Sequence, residues 1–301
     1  MNFFVELAVT IYEVIKAIIL GVLYSIIPAP QKSVDGQVVL ITGAGSGIGR
    51  LMSLEFAKKG AIVVGWDISA KGNEETKKFV EDAGFQMHTF ECDISKRENV
   101  YKSGEQVMRD IGNVDILINN AGMVTGKRFL DCPDDMIVKT MEVNTLAHFW
   151  TLQCFLPEML KQNRGHVVAI SSMLGVDGIS GTCEYSASKS GVIRLMESIA
   201  MEMHVHAIKT TTVCPFIINT GFFKGCSVRF PSVLPVLQPE WTARRIVTGI
   251  LTNQKVLFIP RIMYLMVILK ALLPVDATLS LHRFFGASTA MDNFVGRKKD
   301  N

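Results

Sequence analysis

A tyrosine and a lysine stand four residues apart in Tyr185-Ser-Ala-Ser-Lys189, at the start of a predicted helix. Side chains at i and i+4 share one helix face, so the ammonium is expected beside the phenol. A phenol with a pKa of about 10 is a poor base at neutral pH, and a nearby cation lowers that pKa. The pair could therefore move a proton, although this spacing alone is also common in purely structural helices.

Three further polar positions could join this pair. Ser172 follows a predicted strand, the segment Asn119-Asn-Ala-Gly122 ends another, and Asn144 lies in the helical segment after it. Ligands of open parallel sheets bind at the carboxyl ends of the strands. The two strand ends are therefore expected at the edge of the sheet where a ligand would bind.

A glycine-rich turn joins the apolar run 38–42 to a helix-like pattern, with glycines at 43, 45, 47 and 49. Such glycines let the backbone approach a pyrophosphate, whose charge is met by the N–H groups at the helix start. An ordinary turn is the alternative, but the order strand, turn, helix favours a dinucleotide site.

The next apolar run ends in Asp67, where a carboxylate can accept hydrogen bonds from the adenosine ribose hydroxyls. A carboxylate would also repel a 2′-phosphate, and Ser46 in the turn is not basic. The sequence therefore predicts NAD rather than NADP.

Apolar runs alternate with helical stretches from Gln37 onward. This alternation predicts an α/β fold, a Rossmann-type doubly wound parallel sheet of about seven strands with helices on both faces. The expected strands are 38–42, 61–66, 86–92, 114–118, 166–171, 208–214 and 255–259, and the longer helices are 71–83, 98–111, 134–162 and 185–206.

Both ends of the chain are unusually apolar. Residues 3–27 are long enough for a membrane helix, but Glu6, Glu13 and Lys16 form one polar stripe on it. We expect an uncleaved anchor, spanning the membrane or lying in its interface, with a buried core helix as the alternative. The predicted organisation is an anchor over 1–30, a dinucleotide-binding domain over 36–260, and a C-terminal hydrophobic segment with a basic tail over 261–301.

Composition narrows the function further. The formal charge of +3 and the lack of a basic stripe argue against nucleic acid as a partner, and 49% of residues are hydrophobic. Six cysteines show no metal-binding spacing, so no metal site is expected, and no Asn-x-Ser/Thr acceptor occurs. With Lys298-Lys299, which matches a dilysine retrieval signal, these features favour the cytosolic face of the endoplasmic reticulum membrane, or lipid droplets.

Taken together, these motifs resemble the short-chain dehydrogenase/reductases over about residues 36–260. The narrower likeness is to the 16C branch, which includes retinol and 17-beta-hydroxysteroid dehydrogenases. It is carried by Gly72–Thr76, Val124–Pro133 and Cys214-Pro215-Phe216, together with the apolar N-terminus. Phe216 stands where many members of the family have glycine, and it is expected to reshape the pocket near the nicotinamide.

The resemblance implies a role for each motif. Tyr185 would exchange the alcohol proton, Lys189 would lower the tyrosine pKa and hold the nicotinamide ribose, Ser172 would bind the reacting oxygen, and Asn144 would hold a relay water. Asp93 would contact the adenine. Thr220 and the backbone of Ile218 would bind the carboxamide of the nicotinamide. The implied cofactor-binding set is Gly43, Ser46, Gly47, Ile48, Gly49, Asp67, Asp93, Asn120, Ala121, Gly122, Tyr185, Lys189, Pro215, Ile218 and Thr220.

The loop 221–241 is rich in apolar side chains and is expected to close over an apolar substrate or, alternatively, to pack on its own core. The predicted activity is NAD-dependent oxidation of a lipophilic alcohol, with retinol as the leading substrate. The alternatives are a steroid or long-chain alcohol dehydrogenase, or a catalytically idle lipid-droplet scaffold. Relatives usually pair through helices, so a homodimer is expected.

Overall fold

A seven-stranded parallel sheet lies at the centre of this computed structural model, which describes residues 2–296 apart from the side chains at 25 and 26. The strands run in the spatial order β3-β2-β1-β4-β5-β6-β7. They are β1 (Val38–Thr42), β2 (Ile62–Asp67), β3 (Met87–Glu91), β4 (Ile116–Asn119), β5 (Gly165–Ile170), β6 (Ile208–Pro215) and β7 (Val256–Ile259). The predicted strands and the predicted fold class of the sheet are thus confirmed.

Helices cover both faces of the sheet. They are α2 (Gly47–Ala57), α3 (Ala70–Asp82), α4 (Arg97–Asp110), α5 (Asp134–Met141), α6 (Ala147–Lys161), α7 (Cys183–Glu202) and α8 (Pro239–Leu251). Neighbouring strand residues point to opposite faces, so Val39 packs in the core beneath α2 and α8, whereas Leu40 packs in the core beneath α4, α6 and α7. This two-sided burial explains why the strands read as continuous apolar runs.

One long helix was expected over 134–162, but the structure divides this segment into three parts. A π-helical stretch, Glu142–Leu146, separates α5 from α6. A π-bulge keeps the chain helical, so the sequence pattern does not reveal it, and such bulges are frequent at functional sites. Asn144 lies within this stretch.

The chain divides into two compact units at Lys32. The first contains α1 (Phe3–Ile26), which agrees with the apolar helix expected there. Its apolar side chains up to residue 24 are exposed, Phe3 and Phe4 to 68% and 74%, and Lys16 pairs with Glu13 at 3.4 Å. Among the described residues, no helix combines the length and the apolar character needed to cross a membrane. The expected membrane helix is therefore not confirmed.

Two helices follow the last strand. The predicted hydrophobic segment 261–273 is α9 (Ile262–Leu272), whereas α10 (Val275–Phe284) was not predicted. Met263 of α9 is buried, and the ring of Tyr264 contacts that of Phe258 at 5.0 Å. The residues after α10 continue along loops described below, and Lys298-Lys299 lies outside the described residues.

Candidate active site

A cleft of about 610 Å³ opens at the carboxyl edge of the sheet. Every residue of the implied cofactor-binding set lines it, as do Ser172, Tyr185 and Lys189. The glycine turn and the tyrosine–lysine pair are more than a hundred residues apart in sequence. The parallel order of the strands brings them to one cleft because each follows, or packs beside, a strand end.

The glycine turn is tight enough to exclude side chains. Gly43 has φ +68°, and a Cβ on it would lie 2.8 Å from the backbone of Ala121. A Cβ on Gly49 would lie 2.2 Å from the carbonyl oxygen of Gly43. Because α2 begins at Gly47, the first N–H groups of the helix have no partner within it, and Gly47, Ile48 and Gly49 all line the cleft. This arrangement fits an anionic pyrophosphate.

Asp67 is held at the mouth of the same turn. Its Oδ2 accepts a hydrogen bond from the N–H of Gly45 at 2.9 Å, and its Oδ1 accepts one from the N–H of Ser69 at 2.8 Å. Each carboxylate oxygen keeps a second acceptor site. The carboxylate is therefore fixed in position and can still accept hydrogen bonds from ribose hydroxyls.

Asn120 lines the cleft, but its amide is engaged with the protein backbone. Its Nδ2 donates to the carbonyl oxygens of Thr42 and Gly43 at 2.9 and 3.2 Å. In return, the hydroxyl of Thr42 accepts from the N–H groups of Asn120 and Ala121. This network ties the end of β4 to the end of β1, so the side chain of Asn120 shapes the site.

The end of the cleft at β3 contains a lysine that the sequence analysis missed. Burial acts to raise the pKa of Asp93, but hydrogen bonds from Ser95 and the charge of Lys139 outweigh it and lower the pKa. Lys139 lies 3.6 Å from the Asp93 carboxylate and donates to the Ser95 hydroxyl. Lys139 comes from α5, and no spacing signal in the sequence links it to the strand end near Asp93.

Tyr185 and Lys189 lie on the buried face of α7, as the i, i+4 spacing predicts. The Lys189 Nζ is 5.9 Å from the Tyr185 ring centroid and donates to the carbonyl oxygen of Ile170 at 2.8 Å. Burial lowers the pKa of Lys189 to about 8. The group therefore stays mostly protonated at neutral pH, although its pKa is well below that of an exposed lysine.

The pKa of the Tyr185 phenol is raised, whereas the sequence analysis expected it to be lowered. Burial raises the pKa of Tyr185, and a hydrogen bond with Ser172 opposes this effect without reversing it. Tyr185 is only 3% exposed, so the desolvation of a phenolate outweighs the nearby ammonium. The protonated phenol is therefore the stable form, suited to donate a proton to a carbonyl oxygen.

Asn144 lies behind this group and does not line the cleft. Its Oδ1 accepts from the N–H of Met123 at 2.8 Å, and its Nδ2 donates to the carbonyl oxygen of Met123 and to the Ser188 hydroxyl. A Cβ on Gly122 would lie 3.3 Å from the Asn144 Oδ1 and 3.4 Å from the Lys189 Nζ. The Asn144 amide and the Lys189 ammonium thus approach each other around Gly122. The expected role of Asn144 in holding a water stays a prediction.

Aromatic rings form one wall of the cleft. The rings of Phe222 and Phe223 lie 6.3 and 5.7 Å from that of Tyr185. Further along the same loop, Leu234 and Leu237 are buried. The start of the loop 221–241 therefore lines the cleft and its later part packs on a core, whereas its closure over a substrate stays a prediction.

The sequence matches the short chain dehydrogenase family over residues 37–227. It is 45% identical to human epidermal retinol dehydrogenase 2, over 98% of this chain and 96% of that protein. It is 40% identical to human retinol dehydrogenase 10, over 99% of this chain and 96% of that protein.

Solved structures share the fold. A short chain dehydrogenase/reductase from Burkholderia phymatum in complex with NAD matches with a TM-score of 0.73 at 22% identity, over 83% of this chain and 96% of the other. A metagenomic short-chain oxidoreductase in complex with NADP matches with a TM-score of 0.65 at 27% identity, over 76% and 98%. The chain belongs to the short-chain dehydrogenase/reductase family, and it is an oxidoreductase that transfers a hydride between a nicotinamide dinucleotide and a CH–OH group.

Proposed function

We propose that this protein oxidises all-trans-retinol to retinal with NAD. The observation that carries the proposal is the apolar wall of Phe222 and Phe223 directly beside Tyr185, in a chain whose relatives at 40–45% identity are named retinol dehydrogenases. An apolar wall beside one reactive phenol suits a long hydrocarbon that carries a single hydroxyl group.

Three polar side chains share the work of this reaction. Ser172 orients the reacting oxygen of the substrate, and Tyr185 exchanges the proton of that oxygen. The stable, protonated phenol donates to a carbonyl oxygen in reduction, whereas oxidation needs the phenolate, which the charge of Lys189 and a bound, oxidised nicotinamide would favour. Lys189 holds the nicotinamide ribose and supplies positive charge beside the phenol. The nicotinamide, when bound, accepts the hydride.

A panel of alcohols tests the proposed substrate. Detergent-solubilised full-length protein with NAD should oxidise all-trans-retinol with a kcat/KM well above the values for estradiol and hexadecanol. NADH formation at 340 nm and retinal by chromatography are the readouts. Preference for estradiol would support the steroid alternative, and inactivity towards every alcohol would support the scaffold.

The preference for NAD rests on Asp67, whose carboxylate would repel the 2′-phosphate of NADP. We expect the double substitution Asp67→Asn with Ile68→Arg to shift the NADP/NAD ratio of kcat/KM towards NADP by about 10- to 100-fold, the usual worth of a charge-assisted hydrogen bond. Asparagine can still accept from Gly45, and Ile68 is 63% exposed at the cleft rim. Steady-state kinetics with both cofactors measure the ratio.

The single substitution Ile68→Gln is the matched control, because it changes the rim without adding charge and should leave the ratio unchanged. A wild-type enzyme that already prefers NADP would refute the assignment.

The proposed location is the cytosolic face of the endoplasmic reticulum membrane, with α1 lying in the interface. The exposed apolar side chains of α1 supply the affinity, at about 0.8 kcal/mol per buried methylene, and its polar stripe can face the headgroups. Deletion of residues 1–28 is therefore expected to move most of the protein from microsomes to the soluble fraction, measured by flotation.

Protein that stays bound would point to α9, whose Leu265 and Ile268 are about half exposed. Serine substitutions at those two positions, in the full-length and in the shortened chain, separate the two contributions. Protection of the intact body from protease in sealed microsomes would place it in the lumen and contradict the proposed side.

A further inference from the structure

Three polar side chains join the two C-terminal helices to the segment that follows Ser172. Asp177 accepts from the Lys270 Nζ of α9 at 2.8 Å and pairs with the His282 Nε2 of α10 at 2.6 Å. Lys270 also donates to the carbonyl oxygen of Val176. We call these three side chains, Asp177, Lys270 and His282, the clasp.

The clasp is attached close to the reacting groups. Ser172 begins a short 3-10 turn, Met173–Gly175, and its hydroxyl accepts from the N–H of Leu174 at 3.0 Å. The N–H of Asp177 donates to the carbonyl oxygen of Met173 at 2.9 Å, so the clasp holds the far end of the turn that carries Ser172.

A second, apolar cavity of about 130 Å³ lies between this turn and the C-terminal helices. We call it the end pocket. Four methionines from three segments face it, Met173, Met263, Met266 and Met291, and Asp177 and His282 of the clasp belong to its wall. Methionine side chains adapt to irregular apolar partners, so such walls suit a bulky hydrocarbon.

The end pocket adjoins the active-site cleft. Ser172, Phe216 and Phe223 line both cavities. A substrate whose hydroxyl group is bound by Ser172 and Tyr185 can therefore place its apolar end towards the methionines, beyond Phe216 and Phe223.

The chain after α10 closes the outer side of the end pocket. The Ser180 N–H donates to the carbonyl oxygen of Ala287 at 3.3 Å, and the Ser227 N–H donates to that of Ala290 at 2.9 Å. Arg128 pairs with Asp292 at 2.7 Å. The segment 285–296 thus bonds to the loops that follow β4, β5 and β6, all of which border the substrate side.

The clasp is partly shielded from water. The side chains of Asp177, His282 and Lys270 are 27%, 21% and 39% exposed. One carboxylate serves two partners from two different helices, so its loss would release both helices together. Charge pairs with this degree of shielding hold more strongly than freely exposed ones.

We propose that the clasp fixes the C-terminal helices over the end pocket and thereby determines specificity for long apolar alcohols. The clasp acts as a set of positioning residues, because it shapes the pocket without touching the reacting oxygen. This inference rests on the proposed oxidation of a long lipophilic alcohol.

Two alcohols with the same reacting end test the proposal. Retinol and prenol share a methyl-substituted allylic alcohol, but only retinol has a long apolar remainder. Asp177→Asn should raise the KM for retinol about tenfold, equivalent to about 1.4 kcal/mol, with kcat within about twofold and prenol kinetics unchanged. Lys270→Met removes one of the two partners of the Asp177 carboxylate, so it should act in the same direction with a smaller effect, and the double variant should cost little more than Asp177→Asn alone.

A pocket-filling variant gives an independent readout. Ala290 is 8% exposed and lines the end pocket, so Ala290→Leu should lower kcat/KM for retinol by about 10- to 100-fold while prenol and NAD binding stay unchanged. Ala271→Leu, at an exposed position of α9, is the matched control for added volume. Glu197→Gln, which removes the surface pair with Arg194 on α7, is the control for a lost ion pair.

The outcomes separate the two proposals. Equal losses with retinol and prenol, or unchanged retinol kinetics in both Asp177→Asn and Ala290→Leu, would refute the clasp while leaving retinol oxidation intact. Wild-type protein that oxidises prenol but not retinol would refute the proposed function and the clasp that rests on it. Selective loss with retinol alone, in the clasp and pocket variants but in neither control, supports both.

Discussion

Turnover is expected to fall by about 10²- to 10⁴-fold when Tyr185 is replaced by phenylalanine, the usual worth of one positioned acid–base group. The substitution removes only the hydroxyl, which is the atom that hydrogen-bonds to Ser172. The ring remains to pack against Phe222 and Phe223. The fold and the Kd for NAD should therefore change little, and the loss should appear in kcat with retinol.

Tyr101→Phe provides a matched control. The Tyr101 hydroxyl donates to Gln153 at 2.8 Å, between α4 and α6, and neither residue lines the active-site cleft. The control variant should retain turnover within about twofold, since it removes a single exposed hydrogen bond. Wild-type activity in Tyr185→Phe would remove the phenol from the mechanism.

The second large effect concerns Lys189, for which activity and stability should change in opposite directions at neutral pH. Lys189→Met should lower turnover by at least about 10²-fold, because the charge beside the phenol is lost. The same substitution removes a cation whose burial lowers its pKa to about 8 from an ordinary value of 10.5. A buried charge of this kind opposes folding wherever it must carry its proton.

The sign of the pH dependence follows from this pKa. Between about pH 8 and 10.5 the unfolded chain binds a proton at Lys189 that the folded chain has released, so this group makes stability rise with pH. Below about pH 8 both states are protonated, and the unfavourable contribution is constant and largest. The stability of the wild type relative to Lys189→Met should therefore be lowest at neutral pH and improve towards pH 10.

Thermal unfolding of both proteins without cofactor, at several values from pH 7 to pH 10, measures this difference. Arg194→Met is the control, since Arg194 lies on the same helix with 78% of its side chain exposed. If the difference in stability between the wild type and Lys189→Met does not change with pH, the pKa of Lys189 is not lowered by burial and the prediction is wrong.

The strands and most helices could be predicted because their signals are local. The inner strands β1, β2, β4, β5 and β6 are short runs whose residues are mostly buried on both faces, a pattern that favours a parallel sheet. The helix α7 was predicted over 185–206 and found as Cys183–Glu202, with its boundary shifted by a few residues. Such shifts at helix ends are ordinary, since caps depend on neighbouring loops.

Less local features of the site could not be predicted. The π-helical stretch around Asn144 needs one extra residue in a helical turn, which leaves the apolar pattern nearly unchanged. Lys139 approaches Asp93 across 46 residues of sequence, and the clasp spans 93 residues from Lys270 to Asp177. No periodicity relates residues at such separations, so only the packed chain reveals these contacts.

The pKa of Tyr185 illustrates the same limit. The i, i+4 spacing correctly predicts that Lys189 shares its helix face, and from this proximity a lowered pKa was expected. Burial raises the pKa instead, because the amount of water excluded from the phenol depends on Phe222, Phe223 and the strands around it. Spacing determines which groups are neighbours, whereas solvation depends on everything that packs over them.

Residue order alone was sufficient for the sheet, for the glycine turn with Asp67 at its carboxyl edge, and for the tyrosine–lysine pair on one helix face, because strand direction and helix periodicity follow from short-range sterics and apolar spacing. Most of the remaining site residues were expected only from the resemblance to the family. The shape of the substrate side was not accessible in this way. That shape depends on α9, α10 and the segment 285–296, which fold back onto three loops. The contacts between them join residues far apart in sequence, so packing and charge pairing in the folded chain select one arrangement from many.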